Sequence, residues 1–380
     1  MSVALVNPNM LNWARERAGF SLDALAKKLQ VKPEQVYAWE QGKKSPTFKQ
    51  AQNLAKSAYV PFGFLFLSKP PQEELPIPDL RTVEGRTVMQ ASLELRDTLR
   101  DVYNKHAWYL EYLRLYNEAD PLPFVGRYTL TDTPQKVAKN MHDVLALHTS
   151  TLKLNRDNYF KTLVNAAESQ GVLVMQSGIA LGNTHRKLDV AEFRGFAISD
   201  PVAPLVFINS ADAPAARLFT LAHELAHIWL GCSGISDTSP KNNRREEVFC
   251  NAVAAEFLVP EASFKKLWNN AIEWRSNLEP LSVEYRVSKL VIGRRALTLN
   301  FITAAMYQEF YLQEMQRFRD QKQDSSGGNY YATTTLRNSR RLSQAVVSEA
   351  YSGRMLLRNA AQILGIKPNN LKEYGERLKG

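Results

Sequence analysis

The chain has 380 residues, 44% of them hydrophobic, a formal net charge of +10 and two cysteines. That length accommodates about two or three domains with real cores. Cys232 and Cys250 are too few for a disulfide framework or a cysteine-based zinc cluster, which points to a reducing, cytoplasmic setting. The opening "MSVALVNPNMLNWARERAG" lacks a charged region followed by a long apolar stretch, and no long apolar run follows elsewhere, so neither a signal peptide nor a membrane span is expected. Charge is uneven: residues 1–70 hold ten Lys/Arg against four Asp/Glu, and residues 316–380 hold twelve against five. Basic ends around a mildly acidic middle suit a polyanion such as nucleic acid, although solubility alone also selects surface charge.

Residues 8–67 read as short helices. "SLDALAKKLQV" opens with Ser21 as an N-cap, with Leu22, Leu25, Ala26 and Leu29 at helical spacing. "VKPEQVYAWEQGKKSPT" places Pro33 early in a second helix that ends near Gly42, and the pair has the pattern of a helix-turn-helix. "SKPPQEELPIPDLRT" reads as an extended linker, and residues 84–170 as mostly helical. "GVLVMQ", "FRGFAIS" and "APLVFINS" are three predicted strands. Two apolar helices, "FTLAHELAHIWLG" and "EEVFCNAVAAEFLVP", follow around a polar loop "SDTSPKNNR"; beyond Pro260 the chain is helical and basic, with "RDQKQDSSGGNYYATTT" expected to be flexible. "AKKLQVKPEQV" at 26–36 is echoed by "AQILGIKPNNL" at 361–371, and "LSVEYRVSKLVIGRRAL" at 281–297 has a similar rhythm. The echo fits either a recurring packing unit or an additional docking surface.

The segment "FTLAHELAHIWLG" has almost no solvent face. Leu221, Leu225, Ile228 and Trp229 fill one side of the helix, Ala222, Ala226 and Leu230 much of the other. Burying two imidazoles and a carboxylate there without compensation costs several kcal/mol, and a divalent cation is the compensation that fits. His223 and His227 stack four apart and can reach one zinc about 2.0–2.1 Å away. Glu224 lies roughly 100° around, beside a metal-bound water whose proton it can take. A third ligand is expected from "EEVFCNAVAAEFLVP". Glu247 shares a stripe with Asn251, which could orient a histidine, whereas Glu246 is out of register and Glu256 is expected to face water. Glu247 as a first-turn acid on the helix dipole is the plain alternative. Cys232 and Cys250 read as small hydrophobes, and His106, His142, His148 and His185 lack ligand spacing.

These segments, with "FRGFAISDPVAPLVFINSADAPAARLFT" before them, resemble the ImmA/IrrE family of zinc metallopeptidases over roughly residues 130–262. The resemblance implies Glu247 as third ligand, in a gluzincin-like arrangement, and a peptidase that cleaves a partner transcriptional repressor. Residues 11–66 resemble the Xre/Cro helix-turn-helix family through Arg15, Gly19, Leu25, Ala26, Val31, Trp39, Glu40, Gly42, Pro46 and Thr47. By the usual docking geometry the helix from Pro33 to Glu40 would enter the major groove, with Glu34, Gln35, Tyr37 and Ala38 on its early turns and Gln35 able to pair with adenine. Lys32, Lys43 and Lys44 are placed for phosphates, while the acidic Glu34 argues for protein docking instead.

The expected architecture is α+β, mainly α with a small central sheet. A DNA-binding head (1–70) and a linker and connector (71–130) precede a zinc metallopeptidase domain (131–262) and a basic helical C-terminal region (263–380). The expected partners are DNA and a protein substrate, a repressor or antitoxin, with a homodimer compatible and no membrane. Zn²⁺ held by His223, His227 and Glu247, with Glu224 as general base, is the expected catalytic set; Arg194 and His185 are the candidates for an oxyanion donor. The rival is a non-catalytic regulator or antitoxin-like protein with a structural or sensory metal, which normally needs four protein ligands.

Overall fold

A computed structural model describes residues 2–71, 91–147, 156–236, 245–321 and 329–378. Two compact units divide the chain, Met1–Pro76 and Ile77–Gly380. In the first, α1 (Pro8–Arg17), α2 (Leu22–Leu29), α3 (Pro33–Glu40) and α4 (Phe48–Ser57) precede a 3-10 turn, Phe62–Phe66. Caps set their ends: Ser21 accepts the Ala24 N–H at 3.1 Å, and Thr47 and Gln50 form a reciprocal capping box. Leu11, Leu25, Val36, Trp39, Leu54 and Leu65 close the core of this unit.

The second unit starts with α5 (Leu93–Leu115), α6 (Pro134–Val144) and α7 (Arg156–Ser169). Strands β1 (Leu173–Ser177), β2 (Gly195–Ile198) and β3 (Leu205–Asn209) lead into α8 (Pro214–Leu230), after which come β4 (Gly234–Ser236) and α9 (Arg245–Leu258). The sheet has the order β1-β3-β2-β4, with β1 parallel to β3 and the other pairs antiparallel. Every residue of β1, β2 and β3 is buried, which explains their continuous apolar runs in place of alternation. α8 packs on β2 and β3, and α9 packs on α8 and α6. The remaining helices are α10 (Glu261–Leu267), α11 (Leu278–Glu284), α12 (Lys289–Thr298), α13 (Ala304–Gln321), α14 (Tyr330–Asn338), α15 (Arg340–Tyr351), α16 (Leu357–Leu364) and α17 (Leu371–Leu378).

The architecture is α+β and mostly helical, with the three expected strands in place. Three expectations change. The edge strand β4 had no signal, being three residues long and containing glycine. Of the stretch expected to be flexible, residues 319–321 end α13 and residues 330–335 belong to α14, which Asn329 caps by accepting the Tyr331 N–H at 3.0 Å, while residues 322–328 lie outside the described residues. Glu256 does not face water; it is buried and ion-paired with Arg295 of α12, and the Glu261 N–H donates to it at 3.2 Å. Most of the proline linker, most of the polar loop before α9, and His148 lie outside the described residues.

Candidate functional site

Pro214 starts α8 at a position that needs no N–H partner, and Gly231 ends it at a left-handed φ of 68°. Between them, Thr220 through Leu230 are all buried, as the missing solvent face predicts. His223 and Glu224 have no exposed surface at all. Trp229 anchors the far end of the helix, stacked on Phe124 at 4.5 Å and donating its indole N–H to Asn140 at 2.9 Å.

α9 brings the third donor. His223 Nε2 and His227 Nε2 stand 3.1 Å apart, and Glu247 sets Oε2 3.2 Å from His223 Nε2 and Oε1 3.3 Å from His227 Nε2. Each Nε2 has one in-plane valence, a lone pair or an N–H, yet each faces two neighbours in this triangle. A single cation takes one lone pair from each and resolves the conflict. The spacing fits as well: a tetrahedral site with bonds of about 2.0–2.1 Å has ligand–ligand edges of about 3.3–3.4 Å. Among the described residues these three alone form a His/Cys/Asp/Glu group with metal-binding spacing.

The charge state suits a cation. Burial lowers the His223 imidazole below its ordinary value and leaves it neutral, although the nearby Glu247 carboxylate opposes this. Burial pushes the Glu247 carboxyl upward, but the two imidazoles outweigh it and hold the group at about 2. A neutral His223 imidazole and the Glu247 carboxylate are therefore presented together. Glu246, the out-of-register rival, is exposed. Asn251 is half-buried one turn after Glu247.

Glu224 points towards the sheet. A Cβ built on Gly195 of β2 would lie 2.7 Å from Glu224 Oε1 and 2.9 Å from Thr220 Cγ2. Gly195 is thus part of the site, and sequence reasoning missed it because the close approach is purely tertiary. Arg194 beside it is engaged with Asp212 at 3.6 Å, and His185 is exposed after the 3-10 turn Ala180–Gly182. Cys250 is buried with its thiol pushed well above its ordinary value by burial, and Cys232 is likewise raised, so both stay neutral thiols beside the triangle. His106 and His142 are structural, each bonded through Nε2 to a main-chain carbonyl, of Ala203 at 2.9 Å and of Phe257 at 2.8 Å.

In the first unit, Gln30 turns the chain at a left-handed φ of 57° between α2 and α3, and Pro33 opens α3. Arg15 locks α1 to α3 by donating to Glu40 at 2.7 and 3.0 Å and to the Phe20 carbonyl at 3.0 Å. Lys32, Glu34, Tyr37, Lys43 and Lys44 are exposed, and Gln35 and Ala38 are half-buried. Lys43 Nζ lies 5.9 Å from the centre of the Tyr37 ring.

Residues 11–58 match the sequence model of a helix-turn-helix, residues 167–297 that of the IrrE N-terminal-like domain, a peptidase family, and residues 338–377 that of a domain of unknown function. No curated protein matches the chain. The peptidase match suggests metallopeptidase activity for the unit that holds the His–His–Glu triangle. Among the described residues no helix is long and apolar enough to cross a membrane. The chain joins an N-terminal helix-turn-helix to an ImmA/IrrE domain.

Proposed function

We propose that the protein is a zinc-dependent regulatory endopeptidase that cleaves a transcriptional repressor or related regulatory protein, with DNA bound by its N-terminal unit. His223, His227 and Glu247 would hold the zinc, and the observation that carries this reading is their triangle of donor atoms 3.1–3.3 Å apart. Zinc, when bound there, supplies Lewis acidity to the scissile carbonyl and to the attacking water. Glu224 takes the proton of that water and returns it to the leaving amine, as its place one residue from His223 allows. Asn251, one turn after Glu247 on α9, would orient the His223 ring. On the DNA side, Gln35 and Tyr37 face base edges, with Glu34 and Ala38 on the same turns, and Lys32, Lys43 and Lys44 meet phosphates. The division into a head (1–70), a connector (71–130), a peptidase core (131–262) and a basic C-terminal region (263–380) belongs to the same proposal.

The test compares cells producing wild type or Glu224→Gln by sequencing new protein N-termini, alongside elemental analysis of both purified chains. Equal zinc, with a new N-terminus inside a DNA-binding regulator in the wild type alone, is the expected result. Indistinguishable N-termini would end the peptidase reading and leave a regulator with a metal site.

A further inference from the structure

The turns after α2, α11 and α16 share one backbone, a helix ending that the described residues also use after α1, at Gly19, and after α4, at Tyr59. After α2, α11 and α16 respectively, Gln30, Arg286 and Gly365 adopt φ of 57°, 57° and 64°. The next residue, Val31, Val287 or Ile366, donates its N–H to the carbonyl five residues earlier: Ala26 at 3.0 Å, Ser282 at 3.1 Å, Ala361 at 2.9 Å. A new helical segment starts two residues later each time, at Pro33, Lys289 and Pro368. Burial repeats in the same register. Ala26, Val36 and Trp39 in the first copy correspond to Ala361, Leu371 and Tyr374 in the last.

The copies differ on the outer face of the second helix. In the middle copy that face is covered: Leu290 and Val291 pack against the core, and Gly293 lies beneath Phe310, whose ring would be 3.3 Å from an added Cβ. It is a packing unit. In the last copy the face is open and polar. Lys367, Asn369 and Lys372 are exposed and Asn370 half-buried, the exposure pattern of Lys32, Glu34, Tyr37 and Gln35 in the first. Glu373 on this face is held by Tyr331, whose hydroxyl donates at 2.6 Å, and by Arg377 at 2.7 Å. Residues 338–377 carry seven Lys/Arg against three Asp/Glu.

We propose that α16, its turn and α17 form a second docking unit for duplex DNA. Asn369, Asn370 and Lys372 face base edges, where an amide can pair with adenine, and Lys367 meets a phosphate. The exposed Lys367, Asn369 and Lys372 fit a nucleic-acid groove, and the covered middle copy shows what the same turn looks like when it serves only packing.

The test measures fluorescence anisotropy of a labelled mixed-sequence DNA duplex with the full chain across a salt series. Two backgrounds are used, wild type and the head variant Lys32→Gln/Lys43→Gln/Lys44→Gln. The head variant is expected to retain salt-sensitive binding. Adding Lys367→Gln/Lys372→Gln should weaken the remaining binding about tenfold and flatten the slope of log K against log salt by about 1, for the one phosphate that Lys367 no longer neutralises. The control pair Lys265→Gln/Lys266→Gln on α10 should change neither. An unchanged affinity and slope with the α17 pair in both backgrounds overturns the proposal, as does an equal effect of the control pair, or tighter α17-dependent binding of single-stranded RNA than of the duplex. The α17 pair decides the matter whether or not the N-terminal unit itself binds.

Discussion

Gly195 of β2 and Glu224 of α8 are in such close apposition that a single methyl on the glycine would sit 2.7 Å from the carboxylate oxygen. The Phe207 carbonyl, 2.9 Å from the same point, blocks retreat towards β3. Gly195→Ala must therefore displace either Glu224 or the strand, at an overpacking cost of about 1–3 kcal/mol. Because Glu224 is the proposed base and not a ligand, the expected outcome is a loss of proteolysis on the order of a hundredfold with zinc content unchanged. Elemental analysis beside single-turnover cleavage reads both; wild-type cleavage by Gly195→Ala would show that the contact has no catalytic role.

The ligand set can be separated from its neighbours by substitution. Glu247→Gln should lose the metal, whereas Glu246→Gln, altered at an exposed side chain, should keep it. If Asn251, one turn after Glu247, orients His223 as proposed, Asn251→Ala should bind zinc about 10–100-fold more weakly. Competition against a chromophoric chelator measures all three. Retention of full affinity by Glu247→Gln would remove the carboxylate from the site.

Chelation should also lower the melting temperature. Without a cation, His223, His227 and Glu247 remain buried with their donor atoms crowded together. Calorimetry with and without chelator, on wild type and on His223→Ala, checks this. The chelator should shift wild type downward and leave the variant where it was; an equal shift in both would mean that the metal acts elsewhere.

Glu256 shows where helical periodicity stops being informative. Seen along α9 alone, Glu247 and Glu256 lie on opposite sides, and the wheel assigns one to the site and the other to water. The first assignment matches the geometry because α8, whose own sequence has no solvent face, supplies the complementary histidines. The second fails because α12, more than thirty residues later, lays Arg295 over the outer side of α9. The same limit hid Gly195. Helices, caps, the His–Glu–His stripe and the buried strands follow from local pattern, whereas a covered face or a missing Cβ is decided by a partner that pattern cannot name. Glu256→Ala should accordingly destabilise by about 3–5 kcal/mol by stranding Arg295, while Glu256→Met with Arg295→Met should be close to neutral. Denaturant unfolding of the single and double variants distinguishes this from a dispensable surface pair.

Ser339 carries a φ of 64° and ψ of 143°, backbone that favours glycine, at the junction of α14 and α15. Its hydroxyl donates to Glu168 Oε1 at 2.6 Å, and the Arg340 N–H donates to the same oxygen at 3.0 Å, so a carboxyl at the end of α7 clasps the strained residue. Strain of this kind costs about 1–3 kcal/mol. Ser339→Gly trades the hydroxyl bond for relief of that strain and should lie near neutral, while Ser339→Ala keeps the strain, loses the bond and should be the less stable of the two. Burial raises the Glu168 carboxyl above its ordinary value against the opposing hydrogen bonds. The folded state therefore holds this proton more tightly than the unfolded chain. Its stabilising contribution is complete below the unfolded value and is lost as pH rises through the elevated folded one. Glu168→Gln keeps an acceptor for Ser339 and Arg340 but cannot ionise, so the stability of the variant relative to wild type should rise between acid and neutral pH. Parallel melting curves across that range check the sign; a relative stability that falls with pH would mean that Glu168 is held as a carboxylate by its neighbours.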